Sequence, residues 1–170
     1  MDLVHFTETP LGSSATKFVE ELFATDLRKK LITSFILPAL DDSYIVKTYK
    51  IMPRAQNAHA IVNAGFKIKL SNKDTLTVSE VTIIFGGITP NFVHAQQTQD
   101  YLVGKSLLES IVLQEAFYKL AFELNPNVSP PDASPVYRKR LAQSLFYKVN
   151  HVVRFFFATF FFNASEPFCT

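Results

Sequence analysis

The sequence predicts an α+β domain: an antiparallel sheet of three to four strands with helices packed on one face. Three observations predict it. Runs rich in β-branched and aromatic residues fill the stretch from Leu31 to Phe85. Two of them, Ala64–Leu70 and Leu76–Phe85, flank the polar break Ser71-Asn72-Lys73-Asp74. Phe66, Ile68 and Leu70 alternate on one side of that break, and Val78, Val81 and Ile83 or Ile84 on the other, which is the pattern of a β-hairpin. After Thr89-Pro90 the apolar spacing changes to threes and fours. Strands grouped ahead of helices place the helices on one face of an antiparallel sheet.

Residues 1–14 are polar, contain Pro10 and Gly12, and read as a loose lead-in. Thr16 to Phe23 reads as a short helix, with Ser14 as its N-cap and Phe18, Val19, Leu22 and Phe23 on one side. Leu31–Leu37 is rich in β-formers and stops at Pro38, so it reads as a strand. Asp41-Asp42-Ser43 is a turn. Tyr44–Ile51 alternates and reads as a second strand, broken by Met52-Pro53. A short helix is expected at Ala55–Val62, followed by the hairpin, which ends at Gly86-Gly87.

Ala95–Val103 reads as a helix closed by Gly104. Ser106 is placed to cap a long helix over Leu107–Leu124, with Glu109 at the capping-box position. Two columns, one of Leu108, Ile111, Val112 and Glu115, the other of Leu113, Phe117, Leu120 and Leu124, give it a wide apolar face. Asn125–Pro135 carries four prolines and is a loop. Val136–Asn150 reads as the last helix, with Leu141, Leu145, Phe146 and Val149 inward. Expected core residues are Phe66, Ile68, Ile83, Phe85, Leu113, Phe117, Leu120, Leu145 and Phe146.

Bulk composition narrows the function. The chain has 170 residues, 48% hydrophobic and 19% charged, as expected of a packed core rather than disorder. A net charge of +2 is too small to suggest nucleic acid as a partner. Cys169 is the only cysteine, which excludes an internal disulfide and any cysteine-based iron–sulfur or zinc site. A reducing, cytoplasmic setting is the expectation. The N-terminus MDLVHFTETP has no secretory pattern. Val152–Phe162 is apolar over 11 residues but contains Arg154. A spanning helix needs about 20, so no membrane partner is expected. Six of the 17 Phe fall between Phe155 and Phe162, and the tail reads as aggregation-prone if exposed.

No catalytic constellation stands out. His5, His59, His94 and His151 are far apart, and no phosphate-loop, dinucleotide or nucleophile-elbow motif is present. No catalytic or metal-ligating residue is assigned. Gly86-Gly87 follows a strand and reads as a tight turn. Arg138-Lys139-Arg140 lies on a helix among apolar neighbours and reads as a solvated face.

The stretch Tyr49–Ile88, YKIMPRAQNAHAIVNAGFKIKLSNKDTLTVSEVTIIFGGI, resembles the C-terminal part of the FAD domain in the molybdenum hydroxylases: xanthine dehydrogenase, aldehyde oxidase and the carbon monoxide dehydrogenase flavoprotein. NAHAIVNAGF is most similar to insect-type aldehyde oxidase. Phe85-Gly86-Gly87 and SPPDASPVYRKRLAQSLFYK also fit, and the resemblance covers residues 26–150. KKLITSFILP followed by SYIVKTYK fits the family's strand–turn–strand near the cofactor. The resemblance puts the family's flavin-contacting apolar residue on Ile32, six positions before Pro38, and its flavin-contacting lysine on Lys50, twelve positions after it. An aliphatic side chain packs on a flavin ring or adenine, and a lysine donates hydrogen bonds to the flavin or its phosphates. Read without the resemblance, Ile32 is strand core and Lys50 an exposed strand end.

The resemblance implies three segments. Residues 1–41 are the end of the flavin-binding half, 42–150 the flavoprotein C-terminal domain, and 151–170 a divergent Phe-rich tail; residues 152–170 are expected to add nothing to the fold, the competing outcome being that Val152–Phe162 extends the final helix. It implies FAD as the cofactor of the complete enzyme, with molybdopterin and iron–sulfur clusters in domains not seen here. The partners implied are FAD, the rest of the oxidoreductase chain and a second copy, since the family's enzymes are homodimers. The function expected is to form one wall of the flavin site for electron transfer from iron–sulfur clusters to FAD, with oxygen or NAD as the final acceptor. A truncated chain of this kind is expected to be inactive alone. The alternative is a non-catalytic, truncated interaction module or splice fragment that binds a partner through exposed apolar surface.

Overall fold

A computed structural model describes residues 3–8, 14–28, 30–56, 58–126 and 133–164. The chain divides into two compact units, Met1–Asp41 and Asp42–Thr170.

The first unit is a three-stranded antiparallel sheet of β1 (Leu3–Glu8), β2 (Ser14–Phe18) and β3 (Lys30–Ile36), in the order β2-β1-β3. Two sequence expectations fail here. The lead-in holds a strand, and the helix over Thr16–Phe23 is strand as far as Phe18, then a 3₁₀ turn over Val19–Ala24. Pairing decides this. Leu3 to Thr7 lie opposite Phe18 to Ser14, which satisfies backbone groups that a two-turn helix would leave open at both ends. The Leu31–Leu37 run is a strand as expected. It pairs with β1, however, and does not enter the sheet that holds the hairpin.

The second unit has a four-stranded antiparallel sheet, β4 (Tyr44–Ile51), β5 (Val62–Asn72), β6 (Thr77–Gly86) and β7 (Val93–His94), in sequence order. Its helices are α1 (Gln96–Leu102), α2 (Ser110–Glu123) and α3 (Pro135–Ala164). This is the predicted α+β class. Among the described residues of Ala55–Val62 no helix forms. The Ile61 N–H instead donates to the Ile51 carbonyl at 2.8 Å and opens the β4–β5 ladder.

The hairpin turn is closed by Asn72, whose Oδ1 accepts from the N–H groups of Asp74 and Thr75 at 2.8 and 3.3 Å. Strand alternation then builds the core. Val62, Ala64, Phe66, Ile68 and Leu70 point inward from β5, and Val78, Val81, Ile83 and Phe85 from β6. Phe66 meets the rings of Tyr49, Phe85 and Phe146 at centroid distances of 6.1, 5.8 and 6.4 Å. Leu113 and Phe117 are half-buried against this core, and the other expected core residues are buried. The edge of β6 beyond β7 is covered by the segment after α1. Val78 exchanges hydrogen bonds with Gly104 and Lys105, and the Leu107 N–H donates to Leu76.

Helix limits differ from the sequence reading. The helix expected over Leu107–Leu124 starts at Ser110, because Ser106 is bridged to Thr77 at the sheet edge. Val112, Ala116 and Leu120 are buried, whereas Ile111 is 68% exposed. The last helix does not stop at Asn150. Ala142, Phe146, Val149, Val153 and Phe157 keep one 3.6-residue face, so the helix follows its buried stripe into the Phe-rich segment. Val153 is 1% exposed, and the Arg154 guanidinium donates to the Leu108 carbonyl at 2.8 Å.

Candidate functional site

The register across β4, β5 and β6 defines the sheet face turned away from the core. Residues directly opposite share a face. Tyr44, Val46, Thr48 and Lys50 therefore lie beside Lys69, Lys67, Gly65 and Asn63. Those in turn lie beside Glu80, Thr82, Ile84 and Gly86.

The two ends of this face differ in their electrostatics. At one end the charges are matched. The Lys67 ammonium sits 2.7 Å from Glu80, and the Tyr44 hydroxyl donates to the same carboxylate at 3.2 Å. Lys69 and Lys67 lie over the Tyr44 ring, 4.7 and 5.6 Å from its centroid. The hydrogen bond from Lys67 holds the Glu80 carboxyl below its ordinary range.

At the other end Lys50, Asn63 and Gly86 form one row. Lys50 is exposed and makes no hydrogen bond or ion pair among the described residues. The Asn63 side chain is half-buried and likewise makes no hydrogen bond among them. Its amide lies across Gly86. A Cβ placed there would fall on Asn63 Oδ1, with Nδ2 at 3.2 Å. In the next row Gly65 stands between Thr48 and Ile84, and nothing lies within 4 Å of where its Cβ would be. The result is a patch with a side-chain gap at Gly65, next to the row that carries the Lys50 ammonium and the Asn63 amide. Such a patch admits a planar ring and offers it polar contacts.

Of the two residues singled out from sequence, Lys50 belongs to this patch. Ile32 lies in β3 of the first unit, opposite Phe6, and at 37% exposure it is not buried strand core. Asn63 was not singled out, because only the cross-strand register brings it beside Lys50. Arg138, expected on a solvated face, is buried instead. It is 6% exposed, and its Nη1 donates to the carbonyls of Ile61 and Gly87 at 2.6 and 2.8 Å. It ties α3 to the two chain segments bordering the patch. A cleft of about 450 Å³ between α2 and α3, lined by residues including Leu113, Phe117, Tyr147 and Phe155, belongs to the helical layer.

Among the described residues, no three His, Cys, Asp or Glu side chains are grouped so as to hold a metal ion. No helix among them is long and apolar enough to cross a membrane.

Residues 47–153 match the CO dehydrogenase flavoprotein C-terminal domain. Over 112 residues the chain is 34% identical to nicotinate hydroxylase hnxS of Emericella nidulans, covering 66% of this chain and 8% of that protein. It is 31% identical over 124 residues to xanthine dehydrogenase of the same organism, covering 72% of this chain and 9% of that protein. With aldehyde oxidase 3 of Rattus norvegicus the identity is 32% over 120 residues, covering 71% of this chain and 9% of that protein. The chain thus spans about a tenth of the length of these relatives. Quinoline 2-oxidoreductase from Pseudomonas putida 86 shares the fold with a TM-score of 0.70 at 16% identity, over 89% of this chain and 52% of that one. Reconstituted CO dehydrogenase from Oligotropha carboxidovorans does so with a TM-score of 0.68 at 16% identity, over 86% and 50%. With the family match over most of the sheet and helices, this chain belongs to the CO dehydrogenase flavoprotein C-terminal domain family, the FAD-domain component of molybdenum hydroxylases such as xanthine dehydrogenase.

Proposed function

We propose that this chain forms one wall of the flavin site in an FAD-dependent molybdenum hydroxylase of the aldehyde oxidase and xanthine dehydrogenase kind. The observation that carries the reading is Lys50, exposed on the outer sheet face with no hydrogen bond or ion pair among the described residues, in a chain whose family match runs through that face. The residues present fit such a group: Gly65 leaves space for a planar ring, and Lys50 is free to donate to it. Lys50 holds the flavin's polar atoms and offsets negative charge on the reduced ring. Ile32 supplies an apolar contact to flavin or adenine. The chemistry that FAD would supply when held there is relay of electrons from iron–sulfur clusters to oxygen or NAD.

Oxidation of the substrate, an aldehyde or an N-heterocycle, belongs to a molybdenum centre in other segments of such an enzyme. The enzyme is cytoplasmic and homodimeric, and resembles insect-type aldehyde oxidase. The exposed apolar stripe of Ile111, Tyr118 and Phe122 on α2 is suited to packing against the rest of a longer polypeptide.

The test is Lys50→Ala in the flavin-loaded enzyme that carries this domain. Flavin content after gel filtration should fall, while reduction of the molybdenum site by substrate is retained. Unchanged flavin binding would remove Lys50 from the site, and equal loss of both half-reactions would show a folding defect instead.

A further inference from the structure

We propose that Asn63 is a second cofactor-binding residue, reading the pyrimidinedione edge of the flavin beside Lys50, and that Gly86 is the residue that lets it do so. This deepens the reading that the open sheet face meets a flavin.

Three observations lead here. Lys50, Asn63 and Gly86 occupy one cross-strand row on β4, β5 and β6. Neither the Lys50 ammonium nor the Asn63 amide has a hydrogen-bond partner among the described residues, whereas Lys67 and Glu80 on the same face are paired. The half-buried Asn63 amide thus offers donor and acceptor groups that no described residue takes. Finally, the amide lies over Gly86, with its oxygen in the space that a Cβ there would take. Any other residue at position 86 would push it off the sheet.

The chemistry of the pair selects the ligand atoms. Lysine only donates. An asparagine amide donates through Nδ2 and accepts through Oδ1. A phosphate accepts only, and would leave Oδ1 unmatched. The pyrimidinedione edge of a flavin carries a ring N–H between two carbonyls. Its N–H donates to Oδ1, one carbonyl accepts from Nδ2, and Lys50 is left for the other. Gly65 in the adjacent row leaves room for the ring plane to approach the backbone.

The experiment uses the complete flavoenzyme carrying this domain, stripped of flavin and titrated with FAD and with FAD methylated at the ring N–H. The unaltered protein should bind the methylated analogue about tenfold more weakly, the effect of one lost hydrogen bond. Asn63→Ala should bind FAD about tenfold more weakly and bind both compounds alike. Gly86→Ala should resemble Asn63→Ala, and the double variant should be no weaker than Asn63→Ala alone, since Gly86 acts through the amide. If the unaltered protein does not discriminate, or if Asn63→Ala discriminates just as strongly, the inference fails. Lys50→Ala then separates the two levels. Weakened FAD binding in Lys50→Ala keeps the flavin-wall reading without Asn63, whereas normal FAD binding in both single variants overturns both.

Discussion

The Arg138 guanidinium reaches from α3 to the carbonyl of Gly87, 2.8 Å away, and donates from the same nitrogen to Ile61 at 2.6 Å. Gly87 has a φ of +82°, and a Cβ there would lie 2.5 Å from the Ile61 oxygen and 3.3 Å from Arg138 Nη1. The glycine and the arginine therefore form one joint. The backbone can turn left-handed after β6 and bring its carbonyl under the guanidinium only because no side chain intervenes. This joint holds the end of β6 and the start of β5, where Gly86 and Asn63 border the candidate site.

Arg138→Met should cost about 2–3 kcal/mol, since it leaves two carbonyls without their charged donor at a buried position. Urea unfolding of the 170-residue chain measures it. Arg140→Met, on the exposed side of the same helix, should change stability by less than about 0.5 kcal/mol.

Gly87→Ala and Gly104→Ala test the joint against an open turn. Both glycines have positive φ, but nothing lies within 4 Å of a Cβ at Gly104. Gly104→Ala should cost about 1 kcal/mol from backbone strain alone. Gly87→Ala should cost clearly more, because its methyl also strikes the Ile61 carbonyl. Equal melting temperatures for the two variants would show that the close approach is not limiting.

Deletion of residues 152–170 should lower the melting temperature rather than leave it unchanged. It removes Val153 from the core and the Arg154 bond to Leu108. Val153→Ala alone should cost about 1–3 kcal/mol through lost contact and cavity. An unchanged melting temperature after the deletion would return the segment to the status of an added tail.

The Glu80 pair predicts a small pH dependence. Its carboxyl is held below the ordinary value of 4.5, chiefly by the hydrogen bond from Lys67. A depressed value in the fold means stability present above 4.5 and lost as pH falls through the lower folded value. The carboxylate side chain is 47% exposed, so solvent screening limits the effect to about 0.5 kcal/mol. Glu80→Gln should flatten the stability profile below that pH while changing stability at neutral pH by no more than this amount.

The sequence by itself determined the elements whose side chains alternate or recur at helical spacing. The hairpin, β4, α1 and most of the two long helices are legible because burial of one face imposes the period on the residues themselves. Phe66, Ile83, Phe85 and Phe146 could be named as core for the same reason. Lys50 could be named only through a resemblance, since a lysine at a strand end has no pattern of its own. Tertiary structure decided the rest. β1 and β2 are mostly polar and become strands only through pairing with each other and with β3. Arg138 sits in a run of three basic residues that looks solvated, and it is buried because two carbonyls distant in sequence converge on that one position. The last helix passes Asn150 because its inward stripe continues to Val153, although the composition changes there. Asn63 joins Lys50 through strand register alone, a relation between residues 13 positions apart that no local period records.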